Sequence, residues 1–434
     1  MLFSLGIFVL VALYLTWTGV ALIYDGAYQL VVTLVNGSPF YHVTRYHSWV
    51  VWQPVVWLSP HTSSLALLQA LYALPFLLAP AVGLALSWWM VRKHAPHLIV
   101  WAIFGIAATT LPGQIFVIND SIFQQHLFWP VFLGILVPLR TAQRVVLCML
   151  ALFQLSHPIG AVLMSGAAVA AAGVGILRAE ERRRYFLRAA IALLFAAVCV
   201  AKILLWPDTY AQQEFTWTAA YERFAAGVRG WPGLGLIGVY AAAWFLRKDR
   251  ARLVLLSLLL AAGCWIWWAA DVRLWPDAAL NYRRWIVPLT APFFALAVWE
   301  YVKGAAGSAT LRHRATAALP LLFAAVLCLQ ATHWRNAVAQ LSAELEKMPE
   351  AVVTLESLPF MKDTPLEHWG TTALSILLQG RQPRRLIVQQ ASLPLLEKGV
   401  PLSASDVKPA ERSGWFDFTS LQPLVGAGRE EPPR

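Results

Sequence analysis

Residues 159–206 read IGAVLMSGAAVAAAGVGIL (159–177), RAEERRRY (178–185) and FLRAAIALLFAAVCVAKILLW (186–206). Each apolar run is long enough, as a helix, to cross the roughly 30 Å of a bilayer's hydrocarbon core. The block between them carries Arg178, Arg182, Arg183 and Arg184. Two spans joined by a short basic loop are the simplest reading. Extended outward, that reading finds about eleven apolar spans in the chain. They lie near 2–23, 62–91, 97–117, 122–139, 145–157, 159–177, 186–206, 231–246, 253–270, 286–302 and 315–332. Ser156-His157-Pro158 is all that separates the fifth from the sixth, which leaves open whether they are one span or two.

Composition agrees. Of 434 residues, 59% are hydrophobic and 13% charged, about half the charge of a typical soluble domain. An ordinary soluble enzyme is thereby excluded, as is a disordered chain. Four cysteines, all inside apolar runs, exclude a disulfide scaffold and do not have zinc-ligand spacing. The net charge of +11 would suggest nucleic acid in a soluble protein. Here most of the short basic clusters sit between apolar spans, as the positive-inside rule requires.

Counting Lys and Arg in alternate loops gives 16 on one side (Arg92, Lys93, Arg140, Arg144, Arg178, Arg182, Arg183, Arg184, Arg188, Arg247, Lys248, Arg250, Arg252, Lys303, Arg312, Arg314). The other side has 7 (Arg45, Lys202, Arg223, Arg229, Arg273, Arg283, Arg284). The richer side is expected to be cytoplasmic, with the amino terminus, and the tail from about 333 outside. The first span lacks a basic n-region and a small-residue cleavage site, so it reads as a retained helix. The expected fold is an all-α polytopic membrane protein: a transmembrane part, 1–332, with a long first outer loop, 24–61, and a small α/β appendage, 333–434. In the appendage, residues 351–355 and 385–388 read as strands, and 369–378 and 333–347 as helices. Short loops and the absence of disulfide-spaced cysteines suit a bacterial inner membrane.

The unusual side chains collect on the outer side. Asp25 ends the first span, and an acid at a membrane boundary needs hydration, a partner or a task. It can equally cap the helix that follows. That helix, 28–35, has an apolar stripe suited to lying on the membrane surface. Tyr28, Arg45 and His47 follow in the same loop. Asp120 is a second outer acid at a span end, fit to cap a helix, hold a cation or position a hydroxyl. His157 stands at a hairpin tip and Lys202 near the outer end of its span. Tyr282-Arg283-Arg284 runs against the positive-inside bias, and paired arginines suit a phosphate. Snorkelling to lipid headgroups would also place them there.

This arrangement resembles the GT-C superfamily of integral-membrane glycosyltransferases. The similarity rests on an amino-terminal helix followed by a long outer loop led by Asp25, Asp120 after the third span, and Arg283/Arg284 late in the chain before a small outer domain. The resemblance implies a sugar transfer from a polyprenyl-phosphate donor to a glycan, lipid or protein acceptor on the outer face. Asp25 would be the general base and Asp120 the second carboxylate, the latter with Mg2+ or Mn2+. Arg283 or Arg284 would anchor the phosphate, with Tyr28, Arg45, His47, His157, Lys202 and Tyr282 around the substrates. No organic cofactor and no nucleic acid enter. Many relatives carry paired acids where this chain has Asp25-Gly26. Three other readings stand beside it: a lipid-linked glycan ligase or polymerase using outer Arg and His, a flippase for lipid-linked sugars, and a non-catalytic assembly subunit.

Overall fold

The computed structural model describes residues 1–23, 25–39, 46–110, 116, 118, 120–205, 286–303, 309–361, 364, 366, 370–388 and 415–417. The expected spans at 231–246 and 253–270, and Arg45, Tyr282, Arg283 and Arg284, lie outside them. The described chain is mostly helical. In order come α1 (Leu2–Thr18), α2 (Asp25–Asn36), α3 (Tyr46–Val51), α4 (Gln53–Leu58), α5 (Leu65–Leu77), α6 (Ala79–Val91) and α7 (Ile99–Thr110). Then follow α8 (Asp120–Leu136), α9 (Thr141–Phe153), α10 (Ile159–Leu177), α11 (Arg182–Leu205), α12 (Ile286–Lys303), α13 (Ala309–Lys347) and α14 (Thr371–Leu378). Strands β1 (Val352–Thr354) and β2 (Leu386–Val388) pair in parallel, Val353 opposite Ile387. They are joined through α14, so the tail has a small β-α-β unit.

Among the described residues, four stretches are long and apolar enough to cross a membrane: Leu65–Val91, Ile159–Leu177, Ala179–Lys202 and Thr316–Lys347. Leu2–Thr18, Pro96–Ala107 and Thr141–Ser156 are shorter apolar helices. The outward side chains of α10 and α11, among them Val162, Val169, Ile176, Leu187, Ile191, Leu194 and Leu205, are large, apolar and exposed, a surface suited to lipid rather than water.

Where the helices differ from the expected spans, local chemistry explains it. The long run 62–91 is two helices that part at Leu78, between Pro75 and Pro80, since proline has no N–H to give the preceding turn. Residues 145–157 and 159–177 are two helices turned about His157-Pro158. The span at 315–332 and the helix at 333–347 are one continuous helix. The helix expected to lie on the membrane surface, α2, is packed inside protein. Leu30, Val31, Val32, Leu34 and Val35 are all buried, and α14 of the tail packs against it.

The bundle has two chemically distinct ends. At one, the first turn of α7 meets the last turn of α12, where Trp101 Nε1 donates to Glu300 Oε2 at 3.0 Å. Tyr185 donates to the Leu136 carbonyl at 2.7 Å and lies 2.7 Å from the Tyr301 hydroxyl. Arg178 donates to the Tyr301 carbonyl, and Arg188 to those of Ile135 and Val137. This is the basic end. The opposite end gathers the start of α2, the start of α8 and the turn from α9 to α10.

Helix α8 is the axis. Its Phe128, Trp129 and Phe132 surround Phe294 of α12, with centroids 5.5, 4.4 and 4.5 Å away. Gly105 of α7 faces the Trp129 ring so closely that an added Cβ would sit 1.8 Å from it. Pro130 leaves the His126 carbonyl without its helical donor, and Gly83 of α6 packs there, where a Cβ would come within 2.2 Å of that oxygen. Glycines of α6 and α7 thus let those two helices close on α8.

A second proline is compensated differently. Pro320 in α13 cannot donate to the Thr316 carbonyl, and Ser4 Oγ of α1 donates to it instead, at 2.9 Å. Phe8 on Phe323 (4.4 Å) and Tyr14 on Thr332 (2.6 Å) continue the same parallel pairing. Ser4→Ala should therefore remove this bond and cost ~0.5–1.5 kcal/mol, read as a lower unfolding midpoint of the lipid-embedded protein. An unchanged midpoint would contradict this account of α1–α13 packing.

Candidate functional site

The acid at the end of the first span is positioned by a short chain of turns. Gly19 closes α1 in the left-handed conformation (φ 68), which glycine adopts without strain. A single 3-10 turn follows at Val20–Leu22, Ile23 is extended, and the Gly26 N–H donates to the Ile23 carbonyl at 3.1 Å. Asp25 is thereby the first residue of α2, half-buried, in the turn where the helix dipole favours an ionised acid. Tyr28 lies one turn further on the same side of the helix and is packed on the core. Tyr72 donates to Gln29 at 3.1 Å and stacks on Trp52 at 4.9 Å, fastening α2 and α4 to α5.

Gly26 packs tightly on the turn before its own helix and lies near the segment that leads into α8. An ideal Cβ there would lie 1.8 Å from the Ala21 carbonyl oxygen and 3.9 Å from Ile118 Cγ1. Ile118 is buried and stands two residues before Asp120, the first residue of α8. Two helix amino termini, each led by an aspartate, are therefore neighbours at the same end of the bundle.

From α8 the site continues into the turn between α9 and α10. Gln124, one turn beyond Asp120, donates to Ser156 Oγ at 2.5 Å and to the carbonyls of Phe153 and Gln154 at 3.1 and 3.3 Å. His157 follows; its Nδ1 accepts from the Ile159 N–H at 3.2 Å and its carbonyl accepts from Cys199 Sγ at 3.5 Å. Lys202 Nζ donates to the Leu155 carbonyl at 2.8 Å. His157 and Lys202, expected among the substrate contacts, are thus side by side, and both brace this turn. His47 lies in α3.

Asp25, Asp120, His157 and Lys202 are consequently linked in one path along the acid-bearing end. Sequence reading missed Gln124, Gln125, Gln154 and Ser156. The signal was present, because Gln124-Gln125-His126 is a polar triplet inside the apolar run 122–139. Among the described residues, no three His, Cys, Asp or Glu side chains cluster as a metal site.

No protein-family model, curated protein or solved structure matches this chain.

Gly26→Ala is expected to push α2 away from the turn before it, because the obstructing atoms are backbone. The cost should reach at least ~2 kcal/mol, whereas Gly6→Ala, with open space at its Cβ position, should be neutral. Unfolding midpoints of the two variants in the same lipid test this; equal values would show that the close approach at Gly26 is not needed.

Proposed function

We propose that this protein is an integral-membrane glycosyltransferase that moves a sugar from a polyprenyl-phosphate donor to an acceptor hydroxyl. The observation that supports the reading is that Gly26, next to Asp25, lies near Ile118, two residues before Asp120. The GT-C resemblance requires two acids from distant parts of the chain at one end of a helical bundle. Its finer features belong to this proposal: about eleven spans, an outward-facing site at the acid-bearing end, a small α/β tail domain on that side, and residence in a bacterial inner membrane.

In this reading the Asp25 carboxylate accepts the proton of the acceptor hydroxyl as that oxygen bonds to the anomeric carbon. The bond from the anomeric carbon to the phosphate oxygen breaks, and its electron pair leaves with the lipid phosphate. Arg283 and Arg284 hold that phosphate by forked hydrogen bonds. Asp120 orients the acceptor or, with a divalent cation bound, helps neutralise the phosphate. The place of Asp25 in the first turn of α2 is one that the helix dipole favours for a carboxylate. Burial of α2 under α14 gives the loop the rigidity that positioning demands.

Purified protein in lipid, supplied with a panel of polyprenyl-phosphate sugars and candidate acceptors, tests the proposal. Asp25→Asn should cut transfer by about 10²- to 10⁴-fold, the usual contribution of a general base, with the unfolding midpoint kept. Loss of transfer on adding EDTA would assign a cation to the Asp120 side. Wild-type transfer that persists in Asp25→Asn would overturn the role of Asp25.

A further inference from the structure

The polar triplet in α8 and the turn beside it hold more hydrogen-bonding capacity than the fold uses. Gln124 and Gln154 are fully buried and grip each other's backbone: Gln124 Nε2 donates to the Gln154 carbonyl and Gln154 Nε2 to that of Gln124, both at 3.3 Å. The Oε1 atoms of both are buried without a partner. Gln125 is 3% exposed, and neither its Oε1 nor its Nε2 has a partner. His126 is fully buried, with Nδ1 3.3 Å from Thr109 Oγ1 and Nε2 unpartnered. Turning any of these amides over does not lower the number of unpaired atoms, because their partners are mainly carbonyl oxygens, which only accept. Buried groups in this state are costly, and four such residues within two helical turns and one corner call for an external partner.

The unpaired set defines that partner's chemistry. The Oε1 atoms need hydrogen-bond donors, whereas Gln125 Nε2 needs an acceptor. A bare anion answers only the second need and a cation only the first. Neighbouring hydroxyl groups on a ring supply both. None of the three glutamines carries charge, which suits a neutral ligand. Gln125 lies one turn before Phe128 and Trp129, the residues that pack on α12, and just over one turn beyond Asp120.

We infer that the first turns of α8 and the Gln154–Ser156 corner form a subsite for a hydroxyl-rich ring, held by the amides of Gln124, Gln125 and Gln154. The hydrogen-bonding demand stands by itself; naming the ring as the transferred or accepting sugar rests on the transferase reading. Gln125 is the residue to test, because it makes no hydrogen bond within the protein that its replacement would break.

The experiment uses the full chain in lipid nanodiscs. The probes are undecaprenyl phosphate linked to glucose, mannose, galactose or arabinose, the bare carrier, and the matching methyl glycosides in solution. Gln125→Met, close in shape, should bind a sugar-bearing carrier about tenfold more weakly, the value of one to two lost hydrogen bonds. It should bind the bare carrier as wild type does, and its ligand-free unfolding midpoint should hold or rise. Gln125→Leu should behave alike. Equal affinity of wild type and variant for the sugar-bearing carrier would overturn the subsite. So would a lowered ligand-free midpoint in both variants, which would make Gln125 part of a water-bridged structural network. If no carrier-linked sugar binds, thermal protection of wild type by a methyl glycoside, lost in Gln125→Met, supports the subsite, and protection by none overturns it. Transfer by Asp25→Asn, measured in parallel, separates the two proposals. Asp25-dependent transfer with an unaltered Gln125→Met sinks the subsite alone. Sugar-specific loss in Gln125→Met with Asp25-independent transfer sinks the base alone.

Discussion

A helix that stops inside an apolar body leaves carbonyl groups with nothing to accept from, and in the absence of water each one must be given a donor by another part of the chain. Much of this structure is the working out of that constraint. At the basic end, Arg188 and Tyr185 supply the last carbonyls of α8, and Arg178 does the same for α12. Gln143 donates to the Trp89 carbonyl at the end of α6, at 2.7 Å. At the other end, Gln124 and Lys202 serve the last turn of α9. Each donor lies in another part of the chain than the carbonyl it serves, so the same bonds that satisfy the backbone also fasten the helices to one another. Side chains that look chemically active from sequence are partly engaged in this way, Lys202 above all.

The constraint also explains why α8 is the axis of the bundle. Its proline frees a carbonyl in mid-helix, and its first turns carry three polar side chains in a row. Both would be penalties on a lipid-facing helix. Surrounded by α6, α7, α9, α10 and α12, they become points at which glycine and polar residues of neighbours can close in. These polar side chains are thus enclosed, near the aspartate-led start of α8.

The helical character of the chain was legible in the length of its apolar runs, and 159–177 coincides with α10 residue for residue. The β-strand segments near 352 and 387 were legible in their β-branched and aliphatic residues. Hydropathy could not reveal that α2 is buried, because an apolar stripe fits a lipid surface and a protein partner equally well, and the partner, α14, lies more than 300 residues away in sequence. Nor could it show that 315–332 and 333–347 are one helix, since a change from apolar to polar composition need not break the helical hydrogen-bond ladder. Asp25 and Asp120 stood out as acids at span ends, but that Gly26, beside one, lies near Ile118, two residues before the other, is a tertiary fact that no local pattern carries. The glutamines escaped notice because neutral polar residues barely perturb a hydropathy average, although burial makes them the costlier feature.

The unbroken run of α13 has a mechanical consequence. Its 39 residues extend about 58 Å at 1.5 Å per residue, nearly twice the thickness of a hydrocarbon core. One part of it is keyed to α1 through Ser4, Phe8 and Tyr14, and its far end leads into the strand and helix that cover α2. It therefore behaves as a shaft with a fixed phase. Adding or removing one residue beyond Thr332 would swing the tail by about 100° and 1.5 Å, turning α14 away from the helix that Asp25 begins. Only changes near whole numbers of turns, about seven residues for two, would restore the facing, and they would still displace it along the axis. The length of this segment is thus as much a part of the site as any side chain in it.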